Sequence, residues 1–324
     1  MERVGITTTV PMEILYAAGQ IPVDLNNIFI TAPNAGAMVE EAELAGYPRN
    51  VCAWIKGLYA TALAEGIETV LAVTQGDCSN THALMETLQL AGVRVIPFAF
   101  PFDRDADLLR LQLEKIMADF QVTWPQVEQT KAQLDQVRKI VWQIDTLTWR
   151  ENVVTGWENH LWLVNCSDFQ GNPQEYGERA QQFLQEAAAR SPRGPEIRLG
   201  YLGVPPIMDD LYDYLEERGA RVVFNEIQRQ FSMPRVSNDL VEQYRLYTYP
   251  YGIFYRLEDA LPQLQRREVQ GVIHYAQSFC YRQIEDIIVR QRVPMPVLTL
   301  EGDTPNHLDA RTKMRIDSFL EMLA

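Results

Sequence analysis

Two distant stretches of this chain repeat one plan, and that repeat limits the fold more than any other feature. Val4-Gly5-Ile6 leads to Val10-Pro11, a helix-length run, Gly19 and the strand-like Ile21-Pro22-Val23. Leu199-Gly200-Tyr201 leads to Val204-Pro205, a helix-length run, Gly219 and Ala220-Arg221-Val222-Val223. The later halves match too. An apolar run from Val70 reaches Gln75-Gly76-Asp77-Cys78, and another from Val272 reaches Gln277-Ser278-Phe279-Cys280. Both read strand, Gln-x-x-Cys, helix. Chance likeness between α/β units is the alternative to a true repeat.

Short β-branched runs alternating with amphipathic, helix-length runs predict parallel strands joined by crossover helices. In the first part strands are expected near 3–8, 20–25 or 27–31, 69–74 and 94–98. Helices are expected at 11–18, 36–44, 53–65 and 81–91. In the last part strands are expected near 198–202, 221–225, 271–275 and 295–300. Helices there fall at 208–218, 237–244, 257–266, 281–290 and 309–323. Between them, 105–190 carries no convincing strand and reads as helical, with Pro125 and Pro173 as first-turn prolines. Ser191-Pro192-Arg193-Gly194-Pro195 reads as a linker. The expected division is a lobe over 1–103, a helical insert over 104–195 and a second lobe over 196–324. Trp142, Trp149, Trp157 and Trp162 cluster in the insert. Packing against the lobes is their main expectation, and a platform for a ligand ring the lesser one.

At 324 residues the chain can bury a real core without staples. Its 29 basic against 43 acidic residues leave a net charge of −14, which argues against nucleic acid as a partner. No stretch approaches the ~18 consecutive apolar residues of a membrane span. The first strand begins at Arg3 without a basic, apolar leader, so a cytoplasmic location is expected.

Four cysteines remain: Cys52, Cys78, Cys166 and Cys280. Without a C-x-x-C pair their spacing says little, but their settings say more. Cys78 and Cys280 each stand where a strand's carboxyl end turns into a helix, where open α/β sheets bind ligands. Helix N-termini also favour thiolate through free N–H groups and partial positive charge. Cys52 opens another helix, after Gly46-Tyr47-Pro48-Arg49-Asn50. Three such cysteines can share one centre. Zinc with three cysteines plus one more ligand and an iron–sulfur cluster both fit, and structural cysteines are the plain alternative. Cys166 has no such setting. His82, His160, His274 and His307 form no ligand-spaced pair and read as surface or satisfied core histidines. No phosphate-binding, dinucleotide, nucleophile-elbow or zinc-protease motif is present.

Several segments, in order, resemble the 2-hydroxyacyl-CoA dehydratase family, which includes the benzoyl-CoA reductase subunits. They are the run from Val10 to Val23, Cys52 opening its helix, Asp77-Cys78-Ser79-Asn80-Thr81, Gln270-Gly271-Val272-Ile273 leading to Phe279-Cys280, and Val297-Leu298-Thr299-Leu300-Glu301-Gly302-Asp303 with Arg311 and Arg315. The resemblance implies two Rossmann-like lobes with a helical part. It implies that Cys52, Cys78 and Cys280 hold a [4Fe–4S] cluster with Cys166 a bystander. It further implies an acyl-CoA substrate, pairing as a homodimer or with a sister subunit, and a separate ATP-dependent iron–sulfur activator. In the family's dehydratases an open cluster iron binds the thioester carbonyl, and a ketyl radical expels the hydroxyl group. The expected activity is that of a radical lyase or an ATP-dependent acyl-CoA reductase subunit. A non-catalytic electron-transfer component and a cluster-less scaffold are the alternatives. Thr7, Thr8 and Thr9 stand at the first strand's end, and Thr8 is the first candidate to donate to the thioester oxygen. Glu13 is the second catalytic candidate, with Gln75 behind it. The Gln-rich stretch Glu226–Pro234 departs from the family, where a polar, glycine-bearing loop is expected.

Overall fold

The computed structural model describes residues 2–194 and 196–324. Pro195 of the expected linker lies outside the described residues. Four strands, β1 (Arg3–Ile6), β2 (Ile21–Asp24), β3 (Thr69–Gln75) and β4 (Arg94–Ala99), form a parallel sheet in the order β2-β1-β3-β4. Four more, β5 (Ile197–Leu202), β6 (Ala220–Asn225), β7 (Gly271–Gln277) and β8 (Val297–Gly302), repeat that order as β6-β5-β7-β8. The chain is therefore α/β, with two Rossmann-like parallel-sheet lobes. In each sheet the strand order reverses beside the first strand. That opens a crevice at the carboxyl ends of β1 and β3, and of β5 and β7.

The strands read as unbroken apolar runs because helices cover both faces. Alternate residues of β3 point to opposite sides. Val70 and Ala72 pack with Leu58, Ala62, Leu84 and Leu88. Leu71 and Val73 pack with Ile14 and Leu15 and, across the insert, with Leu134, Val141 and Ile144. In the second lobe Val272 joins Leu257, Ala260 and Leu264, while Ile273 and Tyr275 join Leu211, Leu215, Ile316 and Leu320. This last cluster also takes in Phe29, Met38 and Ala53 of the first lobe, so the lobes share a core.

Two glycines let strand ends turn into the crevice. Gly76 (φ +101°) lies against Pro250, and Gly203 (φ +107°) lies against the Tyr275 carbonyl. Neither place has room for a Cβ, and neither backbone suits an L side chain.

The segment between the sheets is built of helices Ala106–Asp119, Trp124–Thr146, Gly156–Val164 and Pro173–Ala188, with short turns and no strand among its described residues. Thr123 with Gln126 and Thr155 with Glu158 form capping boxes at two of these helices. Trp142 donates to the Ser232 carbonyl at 2.9 Å, Arg266 and Arg267 lie over Trp149, and Trp162 packs on Tyr176 and Phe183. Trp142 and Trp149 thus bind the insert to the second lobe, while Trp162 packs within the insert, against helix Pro173–Ala188. Trp157 differs, as described below.

A helix that no expectation covered runs over Glu226–Phe231, and all six of its residues are buried. Two expectations need correction. The run 27–31, one of two places expected for the second strand, is no strand: Leu25–Thr31 is a helix, because Asp24 caps it by accepting from Asn26 N at 2.9 Å. The helix expected at 281–290 is a tight turn, Tyr281–Glu285, followed by helix Asp286–Arg292. Among the described residues no helix is long and apolar enough to cross a membrane.

Candidate functional site

The two crevices face each other across a cavity of about 170 Å³. In this measure a water needs ~10–15 Å³, so about a dozen water-sized groups fit. Thr7 and Thr8 enter from the end of β1, Asp77 and Cys78 from β3, Val204 and Pro205 from beyond β5, and Gln277 and Cys280 from β7. Cys52 lines the same cavity, at the N-cap of helix Ala53–Ala64. Three of the four cysteines thus meet in one place. All are free thiols.

Each meets backbone N–H groups of the turn that follows it. Trp54 and Ile55 N–H groups serve Cys52, Asn80 serves Cys78 and Arg282 serves Cys280. These donors favour thiolate, but burial outweighs them and holds all three thiols above the ordinary cysteine value. Cys52 is pushed up to about 12. Cys78 is raised further by the neighbouring Asp77 charge, while Arg282 draws Cys280 down. Phe279 adopts a left-handed backbone (φ +63°) just before Cys280. Such a conformation costs of order 1–3 kcal/mol outside glycine, and it turns the chain so that Cys280 faces the cavity.

The donor set fits a polynuclear cluster better than a single ion. The three sulfur atoms do not all lie within 4.8 Å of one another. Tetrahedral zinc, with Zn–S of about 2.3 Å, would draw sulfur atoms to about 3.8 Å. Thiolates that bind different irons of one cluster stand wider apart. Two buried donors beside the thiols lack an acceptor among the described residues: Trp54 Nε1 and Arg282 Nη1. Both residues line the cavity. Unpaired buried donors are costly, and an anionic cluster with its thiolates would satisfy them. Asp77 is held in place by the Tyr249 hydroxyl at 2.6 Å, and burial pushes its carboxyl upward. A separate trio, Asp209, Asp210 and His307, converges at the surface. Its atoms are already used: His307 pairs with Asp209 at 2.6 Å, and Asp210 accepts from Leu308 N at 2.7 Å.

The other candidates scatter. Thr8 lines the cavity, as does Thr7, whose hydroxyl accepts from Val73 N at 3.0 Å. Thr9 is buried away from it. Gln277 is in the cavity wall, but its counterpart Gln75 is exposed to solvent. Glu13 is the clear misfit. It is 0% exposed, outside the cavity, and its carboxylate is occupied by Arg138 Nη1 (2.8 Å), Gln243 Nε2 (2.7 Å) and the Tyr244 hydroxyl (2.8 Å). The helix Met12–Ala17 turns it into the interior, so it cannot reach a ligand in the cavity. Cys166 is buried in the insert, its thiol donating to the Trp162 carbonyl.

Sequence reasoning missed Asp24, Asp77, Trp157, His160 and Arg282, all in the cavity wall. Only Asp77, adjoining Cys78, carried a local signal. Asp24 is buried beside a second carboxyl. Asp168 Oδ2 accepts from Asp24 N at 2.8 Å, and Gln170 N donates to Asp168 Oδ1 at 2.9 Å. Burial raises both carboxyls of this pair and, with the Asp24 charge added, pushes Asp168 up to about 7, so Asp168 leads a titration that Asp24 shares. Its unfolded value lies near 3.9. Between those values the folded chain holds a proton that the unfolded chain has released. This contribution to stability is therefore full below about pH 4, falls as pH rises to about 7, and is flat above. Melting temperatures across pH 4–8 should show that fall, and Asp168→Asn should flatten it. The slope carries the test, since Asn also loses an acceptor. An unchanged slope would rule out Asp168 as its source.

The family model for 2-hydroxyglutaryl-CoA dehydratase, D-component, matches residues 7–323. No curated protein matches the sequence.

Proposed function

This chain belongs to the family of the 2-hydroxyglutaryl-CoA dehydratase D-component, and from that premise we propose that it is the iron–sulfur subunit of a 2-hydroxyacyl-CoA dehydratase-like or acyl-CoA reductase-like system. The observation that carries this reading is the meeting of Cys52, Cys78 and Cys280 in one cavity at the paired strand ends. These three thiolates hold a [4Fe–4S] cluster. When bound, the cluster supplies a low-potential electron and an iron open to the thioester carbonyl.

The chain's own residues do the rest. Backbone N–H groups of Trp54, Ile55, Asn80 and Arg282 hold the thiolate charge in place. Trp54 Nε1, and Arg282 Nη1 at 3.7 Å from Glu285, add two donors without a hydrogen-bond acceptor among the described residues. The Thr8 hydroxyl donates to the thioester oxygen. Apolar neighbours such as Ile30, Leu58 and Val164 keep water from the reacting centre. The electron arrives from an ATP-dependent iron–sulfur activator. Phe279, Tyr281, Ile284 and Ile287 leave apolar surface exposed around and after Cys280, with Ile284 72% exposed. An apolar patch there suits a partner, activator or sister subunit, that docks close to the cluster.

The test is an anaerobic assay with an activator, ATP and dithionite against a panel of 2-hydroxyacyl-CoA thioesters. Turnover that disappears in Cys280→Ser is the expected result. Reduction of a bound cluster without turnover of any thioester would leave only an electron-transfer component. Failure to bind a cluster at all would leave a scaffold.

A further inference from the structure

Between the helical insert and the second lobe, a chain of buried polar side chains runs from an ion pair to the cavity wall. Arg267 holds Asp145 with bonds of 2.9 and 2.5 Å. An ionised carboxylate only accepts, so Asn159 must turn its Nδ2 toward Asp145 (3.1 Å). That leaves Asn159 Oδ1 to accept from Asn225 Nδ2 (3.1 Å). Asn225 Oδ1 then accepts from the Tyr212 hydroxyl (2.6 Å). With its hydrogen spent there, the Tyr212 oxygen accepts from His160 Nδ1 at 3.1 Å. Gln228 Nε2 is 3.4 Å from both atoms, longer than the 3.1 Å Tyr212–His160 contact, and is the weaker partner for Nδ1. Each link dictates the next, and the result is a histidine whose proton sits on Nδ1.

Nε2 is therefore a bare lone pair. It has no partner among the described residues, it is not one of the sealed polar atoms, and His160 lines the cavity. Trp157 stacks on the ring at 5.2 Å and 14°, which fixes its plane. Burial alone holds this histidine down to about 3, so it stays neutral and only accepts. The cavity lining that it shares includes the apolar Ile30, Leu161, Val164 and Met208, and the carboxyls of Asp24, Asp77 and Asp209. The one cationic side chain in the lining, among the described residues, is Arg282, and it sits beside Cys280. A ligand carboxylate at His160 Nε2 would set one acceptor against another, in a lining that already carries Asp24, Asp77 and Asp209. A hydroxyl would find an acceptor already oriented for it. A packing role alone does not need such a chain, because apolar side chains fill such space without requiring satisfied partners.

We propose that His160 is the hydrogen-bond acceptor that selects the acyl group, and that this group is uncharged and ends in a hydroxyl rather than a carboxylate. The inference rests on the thioester reading above and narrows it to one substrate class. The dicarboxylate acyl group in the family model's name does not suit this wall.

The test uses 2-hydroxyacyl pantetheine thioesters ending in phenyl, hydroxyphenyl or carboxylate, titrated against the purified full chain by tryptophan fluorescence. The hydroxyphenyl thioester should bind about five- to tenfold tighter than the phenyl one, the usual net worth of one hydrogen bond. The carboxylate thioester should bind weakest. His160→Phe keeps a flat ring against Trp157 and should erase the hydroxyphenyl preference while leaving phenyl binding in place. Tyr212→Phe removes the acceptor for Nδ1 and frees the proton to move to Nε2, which then donates, so this variant should bind the carboxylate thioester more tightly than the parent does. It carries the test if His160→Phe does not fold. A hydroxyphenyl preference that survives His160→Phe, a carboxylate thioester bound no more tightly by Tyr212→Phe, or tightest binding of the carboxylate thioester by the parent, overturns the inference. An iron-loaded chain that binds none of the three thioesters overturns this inference alone. A chain that binds neither iron nor thioester overturns the proposed function with it.

Discussion

A Cys78→Ser chain purified without oxygen is expected to lose nearly all of the roughly four irons that the parent holds, as one [4Fe–4S] cluster, while Cys166→Ala keeps them. The difference follows from where the two thiols stand. Cys78 shares the cavity with Cys52 and Cys280, whereas Cys166 is spent on the Trp162 carbonyl inside the insert. Serine is a poor substitute, because its hydroxyl does not ionise as a thiol does and leaves the irons two ligands. Loading should also depend on pH in a stated direction. Burial raises all three thiols, Cys52 to about 12, so the iron-free chain holds them protonated at pH 7. Iron must displace those protons, and each released proton strengthens binding roughly tenfold per pH unit. Colorimetric iron and sulfide analysis at pH 6.5 and 8, with EPR after reduction, measures both effects. Zinc in place of iron, or iron retained by Cys78→Ser, would defeat the cluster assignment.

The strands were legible because buried parallel strands must be apolar on both faces. Val70–Val73 and Val272–Ile273 allow no other reading once turn residues bound them. The shared plan of the lobes was legible for the same reason, since each copy repeats the same strand-to-helix turns. What failed depended on partners far along the chain. Helix Glu226–Phe231 buries Gln228, Arg229 and Gln230, so it shows no amphipathic period. Two of them are held by Asp259, which accepts from Gln230 Nε2 at 2.9 Å and pairs with Arg229. The apolar run Leu25–Thr31 looks like a strand until Asp24 is seen capping it. In the cavity, the cysteines announced themselves through their helix starts, but His160 could not. Its tautomer is set by Tyr212, Asn225, Asn159 and Asp145, which no local pattern links. Glu13 shows the opposite error. It follows Thr8 by five residues, yet one helical turn points it at Arg138 on the insert.

That pairing sets up the largest stability effect expected here. Arg138→Met should cost about 3–5 kcal/mol at pH 7, the usual penalty for stripping one partner from a buried ion pair. Both groups are sealed, at 1% and 0% exposure. Burial works against the Glu13 carboxylate, but the Arg138 charge and the surrounding donors win and hold its pKa below the ordinary value. Without the guanidinium, Tyr244 and Gln243 remain as donors but no full charge compensates the carboxylate. The group spans three parts of the molecule. Glu13 comes from the first lobe, Arg138 from helix Trp124–Thr146, and Gln243 and Tyr244 from helix Leu240–Leu246 of the second lobe. Its loss should therefore lower the urea midpoint of the whole chain rather than loosen one lobe. A depressed carboxylate pKa stabilises above the unfolded value and loses that contribution as pH falls through the folded one. The parent should thus lose more stability on acidification than Arg138→Met, whose Glu13 protonates readily. Adding Glu13→Gln to Arg138→Met should recover part of the loss, because the orphaned charge goes with it. A midpoint within 1 kcal/mol of the parent would rule out this structural role and return Glu13 to the catalytic candidates. The expected loss instead leaves Thr8, in the cavity wall beyond β1, as the one of the two catalytic candidates placed where the proposed thioester would bind.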